Sequence, residues 1–198
     1  MVTFYTLFPE LLNLNGDQAN VFVLQKRLAW QGESSEIVSI NNDQDLDRFA
    51  AMLESRINEV FLLIGHGSTA AMNVIEPLAP RLRELIFGAA SMGLNGLAIG
   101  SGYELLYPDF VRGERVSDYA SIEASEGLPA MYGYVNTDTN LPHASVLGEN
   151  FVCTMVHGPV LARSPELADR MLERLGVALL PSSESLEADS YALKSRAH

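Results

Sequence analysis

The stretch from Gly96 to Leu106 constrains the fold more than any other part of the sequence. It begins with the apolar run Leu97 to Ile99, passes through three small residues and continues as an apolar-periodic segment. This pattern is typical of a buried strand that turns sharply into a helix, and such a turn points the following backbone N–H groups at one place. We expect its central residue to be Gly100, which takes a positive φ at no steric cost. The sequence therefore predicts the architecture of a nucleophile-bearing turn without the reactive side chain.

The amino-terminal half alternates apolar strands with amphipathic helices. We predict strands at Val2 to Leu7, Glu36 to Ile40 and Val60 to Ile64, with a helix after each of the first two. The turn residues from Asn13 to Asp17 precede the first helix and supply its cap. A longer helix is predicted from about Asn73 to Phe87. This order predicts an open parallel sheet with helices on both faces.

The carboxy-terminal half is less regular. Residues 112–147 are predicted to form loops and a few antiparallel strands, with β-like runs at Met131 to Val135 and Ser145 to Leu147. Another strand, Phe151 to Val156, delivers His157 at its end. A helix begins at Ser164 and ends at Gly176. We expect residues 1–180 to form one domain, and residues 181–198, rich in Ser, Glu, Asp and Ala, to form a mobile tail.

Composition excludes several classes of protein. The chain has 25 acidic and 13 basic residues, for a formal charge of -12, which disfavours nucleic-acid partners. Cys153 is the only cysteine, so no zinc cluster and no intrachain disulfide are expected. The sequence lacks a basic leader and an apolar run long enough to span a membrane, so we expect a cytoplasmic protein without membrane insertion. We expect no metal and no cofactor.

Ligands of open parallel sheets lie beyond the carboxyl ends of the strands, where His66, Gly100 and His157 should converge. Three interpretations of this place are open. The first is a cysteine-histidine site whose nucleophile has been lost at Gly100, with His157 as the remaining base. The second makes Ser101 the nucleophile, with His157 or His66 as its partner, although Ser101 lies one residue past the sharp point of the turn. In the third, the glycines only allow a helix to pack close to a strand.

The loop Gly65-His66-Gly67 is a second candidate ligand contact. Its glycines permit close backbone approach, so exposed N–H groups could hold an oxyanion or a carboxylate. A tight turn between strand and helix is the alternative. Together with Gly102 and Tyr103, which follow the elbow, these loop residues form the predicted substrate-binding set.

Three separated motifs together resemble a known family. They are L-F-P-E-L-L-N-L-N-G-D-Q-A-N at residues 7–20, L-A-I-G-S-G-Y-E-L-L at residues 97–106, and H-G-P-V-L followed by P-E-L-A-D at residues 157–161 and 165–169. In this order they are similar to the GatD-type amidotransferase subunit of lipid II isoglutaminyl synthase. That family belongs to the cobyric-acid-synthase-like class I glutamine amidotransferases.

The resemblance implies a flavodoxin-like amidotransferase fold and a role in peptidoglycan synthesis for the cell wall. Family members hydrolyse glutamine and pass ammonia to lipid II beside a Mur-ligase-like subunit. His157 matches the catalytic histidine of the family, whereas Gly100 stands at the position of its nucleophilic cysteine. The loop that begins at Gly65 departs from the family pattern G-G-G-Q-D, and the glutamine-holding arginine has no clear counterpart near residues 130–133.

These departures predict a pseudoenzyme, a binding or regulatory subunit without glutaminase activity. We expect it to pair with a Mur-ligase-like chain or to form a homodimer. The alternative is an active hydrolase or amidotransferase of altered chemistry that uses Ser101 with His157 or His66.

Overall fold

The computed structural model describes residues 1–125 and 128–197. The strands are β1 (Val2–Leu7), β2 (Ser35–Ile40), β3 (Val60–Ile64), β4 (Asn95–Ile99), β5 (Arg112–Ile122), β6 (Met131–Thr139), β7 (Ala144–Leu147), β8 (Phe151–Thr154) and β9 (Val156–His157). The helices are α1 (Ala19–Trp30), α2 (Asp43–Arg56), α3 (Thr69–Ile75), α4 (Ala79–Ser91), α5 (Ser101–Leu106), α6 (Val160–Arg163), α7 (Pro165–Arg174) and α8 (Ser183–Lys194).

The central sheet has six strands in the order β2-β1-β3-β4-β8-β7. All neighbours are parallel except β7 and β8, which pair antiparallel at one edge. β3 and β4 are buried along their whole length because helices cover both faces of the sheet. The predicted flavodoxin-like open sheet with helices on both faces is confirmed.

A second, antiparallel sheet has the order β5-β6-β9. Its strands β5 and β6 are much longer than the short runs predicted for residues 112–147. Most of β5 is exposed to solvent, so it lacks the apolar alternation by which strands are recognised. β9 is the outer strand on the other side, and it connects this sheet to the end of β8.

One predicted helix is divided into two in the structure. The single helix expected from Asn73 to Phe87 is instead α3 and α4, joined by a short 3-10 turn over Glu76–Leu78. Pro77 lies in that turn, where its missing N–H interrupts the α-helical hydrogen bonds.

Among the described residues, no helix is long and apolar enough to cross a membrane.

The tail predicted to be mobile contains α8 in the structure. Its start is stabilised by a capping box, in which Ser182 and Ser185 exchange hydrogen bonds. Asp189 of α8 pairs with Arg27, a buried residue of α1 that also binds Asp169 of α7 at 2.6 Å. The local composition of residues 181–198 does not indicate this helix, because the buried arginine that holds it lies far away in sequence.

Candidate functional site

The elbow at the end of β4 has the predicted backbone geometry. Gly100 adopts φ 54° and ψ -117° and precedes α5 directly. Its N–H donates to the carbonyl oxygen of Thr154 at 2.9 Å, and its own carbonyl accepts from Tyr103 and Glu104 at the first turn of α5. The turn is therefore fixed to β8 on one side and to α5 on the other. Its φ lies in the region that favours glycine.

Two imidazole rings occupy the space above Gly100. A Cβ atom built on Gly100 would lie 2.5 Å from Nδ1 of His66 and 2.7 Å from Cε1 of His157. The two rings meet edge to face, with their centroids 4.5 Å apart. These rings fill the space that a nucleophilic side chain at Gly100 would need. In this arrangement of the two rings, no such side chain fits.

His66 also accepts a hydrogen bond from the backbone N–H that follows the elbow, that of Ser101. The backbone N–H of Ser101 donates to Nδ1 of His66 at 3.0 Å. In hydrolases with this type of turn, the N–H after the nucleophile binds the oxyanion of the reaction intermediate. Burial, followed by the nearby His157, lowers the pKa of His66 to about 4. The ring is thus neutral at pH 7, and its proton lies on Nε2 because Nδ1 accepts a hydrogen bond.

The amino-terminal segment holds His66 in place. The N–H of His66 donates to Oδ2 of Asp17 at 3.0 Å, and its carbonyl oxygen accepts from the N–H of Leu14 at 3.0 Å. The loop lies so close to this segment that a Cβ on Gly65 would come within 2.0 Å of the carbonyl oxygen of Leu12. Asp17 is fully buried, and burial raises the pKa of its carboxyl group. It was predicted to cap α1, but the N-cap residue is Gln18, without a side-chain hydrogen bond to the helix.

His157 lies beside the elbow as predicted, with both ring nitrogens engaged. The side-chain amide of Asn15 lies 3.0 Å from Nδ1, and the carbonyl oxygen of Asn136 lies 3.0 Å from Nε2. Since the Asn136 oxygen can only accept, Nε2 carries a proton and donates to it. Nδ1 then accepts from the amide of Asn15. A general base needs a lone pair directed at the proton it removes, and here both nitrogens face other partners.

Ser101 does not form a serine-histidine pair in this conformation. Its Oγ accepts from the N–H of Gly67 at 2.8 Å and donates to the carbonyl oxygen of the same residue at 3.2 Å. The side chain is buried, and these two bonds tie the start of α5 to the loop after β3. The Ser101 hydroxyl thus stabilises the loop that carries His66.

Some of the predicted ligand contacts line a cleft, and others are buried. His66, Gly67 and Ser101 line a cleft of about 550 Å³ beside the elbow. Gly102 and Tyr103 are buried instead. A Cβ on Gly102 would lie 2.6 Å from the carbonyl oxygen of Ile64, and the hydroxyl of Tyr103 bonds to Oγ of Ser145 at 2.8 Å.

Asn20 has a role that the sequence pattern does not reveal. This fully buried side chain accepts from the N–H of Leu161 at 3.0 Å and donates to the carbonyl oxygen of Gly158 at 3.1 Å. It therefore holds the turn that follows His157. The signal available in the sequence was an asparagine in the first turn of an amphipathic helix. Cys153 is buried as well, and burial raises the pKa of its thiol, which does not fit a reactive cysteine.

No family model matches the chain, and no curated protein matches it significantly. The fold and the site together define an α/β protein with a hydrolase-type elbow that carries glycine, not a nucleophile, at its sharp point.

The contact between Gly100 and His66 predicts a measurable coupling. Gly100→Ala should lower the free energy of unfolding by about 2–4 kcal/mol, from backbone strain and from the clash with the rings. Gly16→Ala is the matched control, since Gly16 also has a positive φ of 76° but has nothing within 4 Å of a built Cβ. The control should cost only about 1 kcal/mol.

A double-mutant cycle separates the clash from other effects. In the His66→Ala background the cost of Gly100→Ala should shrink by at least about 1 kcal/mol, because the nearest ring is gone. Urea denaturation of the four proteins measures this. Costs of Gly100→Ala that are equal in the two backgrounds would contradict the packing described here.

The lowered pKa of His66 predicts a pH-dependent stability. Between pH 6.5 and about 4 the unfolded chain binds more protons at this residue than the folded protein does. The free energy of unfolding should therefore fall as the pH is lowered through this window, by about 1–2 kcal/mol after allowance for solvent screening. Asp17, with its raised pKa, acts in the opposite direction near the acidic end.

The comparison that isolates His66 is with His66→Gln, whose amide oxygen can accept from the Ser101 N–H but does not titrate. Urea denaturation at pH 7.0, 5.5 and 4.5 should show a weaker loss of stability in the variant than in the parent protein. Superimposable profiles would show that His66 is not held neutral.

Proposed function

We propose that this protein is a glutamine amidotransferase-like protein without glutaminase activity, which acts as a binding or regulatory subunit. The observation that carries the proposal is the glycine at the elbow, with the imidazoles of His66 and His157 in the space of a nucleophile. Without a covalent nucleophile at this position, the acyl-enzyme route to glutamine hydrolysis is closed.

The two departures from the resembling family are neighbours in space, which supports the proposal. Gly100 stands where that family has cysteine, and His66 stands where its loop pattern has glycine. In the structure the larger residue in the loop fills the volume that the smaller residue at the elbow leaves open. Two departures that fit each other in space favour an inactive role more strongly than a change at one residue would.

The alternative of an active enzyme that uses Ser101 has less support. Its hydroxyl is bonded to Gly67, and both nitrogens of His157 are occupied. Catalysis through Ser101 would need both side chains to change partners. We retain this alternative as the outcome that the assay below can detect.

The partner and the location follow from the resemblance. We propose a Mur-ligase-like subunit as the partner, or a second copy of the chain in its absence, and a place in the cytoplasm near the synthesis of peptidoglycan precursors. The segment at residues 7–20 is the most extensive part of the resemblance. In this chain it also holds the two histidine loops, so its retention has a structural reason of its own.

The purified protein should release no glutamate from glutamine, alone or co-purified with a co-expressed Mur-ligase-like chain. Gly100→Cys should remain inactive, because returning one member of a catalytic set restores little when the others are displaced. A coupled glutamate assay measures both proteins, and co-purification itself tests the subunit role. Ser101→Ala is the control for activity from another site.

Two results would overturn the proposal. Turnover by the parent protein that disappears in Ser101→Ala would establish the serine-based alternative. Robust hydrolysis by Gly100→Cys would mean that the position of His66 does not block the site.

A further inference from the structure

The cleft beside the elbow has the size of a small-molecule site. Its volume of about 550 Å³ falls within the usual range for such sites, and α3, α4, α5, β5 and β6 all contribute to its wall. It lies at the carboxyl ends of β3 and β4, where open α/β sheets bind their ligands. The cleft therefore has the size and the position of a binding site, although the elbow carries no nucleophile.

The charge of the cleft differs from that of the whole chain. The sequence has a formal charge of -12, yet the cleft wall carries as many arginines as carboxylates. The charged residues of the wall are Arg83, Arg112, Arg115, Glu76, Glu104 and Asp138. The cleft wall is thus less acidic than the protein as a whole.

One of the three arginines already has partners. Arg112 lies 3.5 Å from Oε2 of Glu104, also pairs with Asp138, and stacks over the ring of Phe110 at 5.0 Å. This group is held together by its own charges. It forms a fixed wall of the cleft and leaves Glu76, on the exposed turn between α3 and α4, as the remaining carboxylate.

The other two arginines keep free donors. In its hydrogen bonds to the described residues Arg83 uses Nε alone, which donates to the carbonyl oxygen of Leu105 at 2.9 Å. Within residues 1–125 and 128–197 neither Arg83 nor Arg115 forms an ion pair with a carboxylate. Arg83 comes from α4 and Arg115 from β5, so two different elements each contribute an arginine to the cleft wall.

We propose that this cleft binds a small molecule with a carboxylate or phosphate group, which Arg83 and Arg115 hold. Guanidinium groups match the planar oxygens of carboxylates and phosphates and form charge-assisted hydrogen bonds with them. Thr69, Asn73 and Asn136 add neutral polar groups to the wall for the rest of the molecule. This inference rests on the proposed binding role and names the class of ligand for it.

Isothermal titration calorimetry with matched probes tests the inference. Succinate and succinamide have the same size and differ in charge, so succinate should bind and succinamide should bind at least tenfold more weakly. Inorganic phosphate, as the third probe, distinguishes a phosphate site from a carboxylate site. Arg83→Ala and Arg115→Ala should each weaken binding of the preferred anion by about tenfold or more, because each removes a charge-assisted contact.

Arg48→Ala is the control, since Arg48 is an exposed arginine of α2 that pairs with Asp45 and does not line the cleft. It should leave the affinity within twofold of that of the parent protein. If neither anion shows saturable binding at concentrations up to roughly 10 mM, the inference is overturned. Equal affinities of Arg83→Ala, Arg115→Ala and Arg48→Ala for the preferred anion would also overturn it. Either result would leave the proposed lack of glutaminase activity untouched, because that is measured by the glutamate assay.

Discussion

The hydrogen bond from the Ser101 N–H to Nδ1 of His66 is the interaction on which the site depends. It requires a neutral imidazole, which burial favours, and it requires an elbow without a side chain, which Gly100 supplies. In a catalytic elbow the same N–H would be free for a reacting oxygen. Here the N–H of Ser101 already donates to His66, and this hydrogen bond stabilises the loop.

The amino-terminal segment organises this arrangement from outside the sheet. Asp17 binds the backbone of His66, Asn15 binds the ring of His157, and Asn20 binds the turn after it. Two of these side chains, Asp17 and Asn20, are fully buried, where loss of one partner would leave a costly unsatisfied group. The two histidine loops are thus coupled through a segment that lies far from both in sequence.

Much of the fold could be predicted from local patterns. β3 is a continuous apolar run, β1 is rich in β-branched and aromatic residues, and β4 ends in the apolar run Leu97 to Ile99. The elbow follows from the glycines around Ser101. β5 could not be predicted, because an exposed strand carries little periodicity. The helix α8 depends on Arg27, a partner that no local pattern reveals.

The candidate site was predictable in its position but not in its state. The convergence of His66, Gly100 and His157 follows from the order of parallel strands. The orientation of the His66 ring does not, since it depends on the Ser101 N–H and on the space over Gly100 together. For the same reason the sequence could leave Ser101 as a candidate nucleophile, although its hydroxyl is bonded to Gly67.

Nitrogen NMR of the His66 ring at neutral pH tests the arrangement at the elbow most directly. A uniformly ¹⁵N-labelled sample should show the Nε2–H tautomer for this ring and a scalar coupling across the hydrogen bond between the Ser101 amide nitrogen and Nδ1 of His66. His66→Gln identifies the signals by their loss. A protonated Nδ1, or a ring without coupling to Ser101, would contradict the claim that His66 accepts from the Ser101 N–H and fills the space above Gly100.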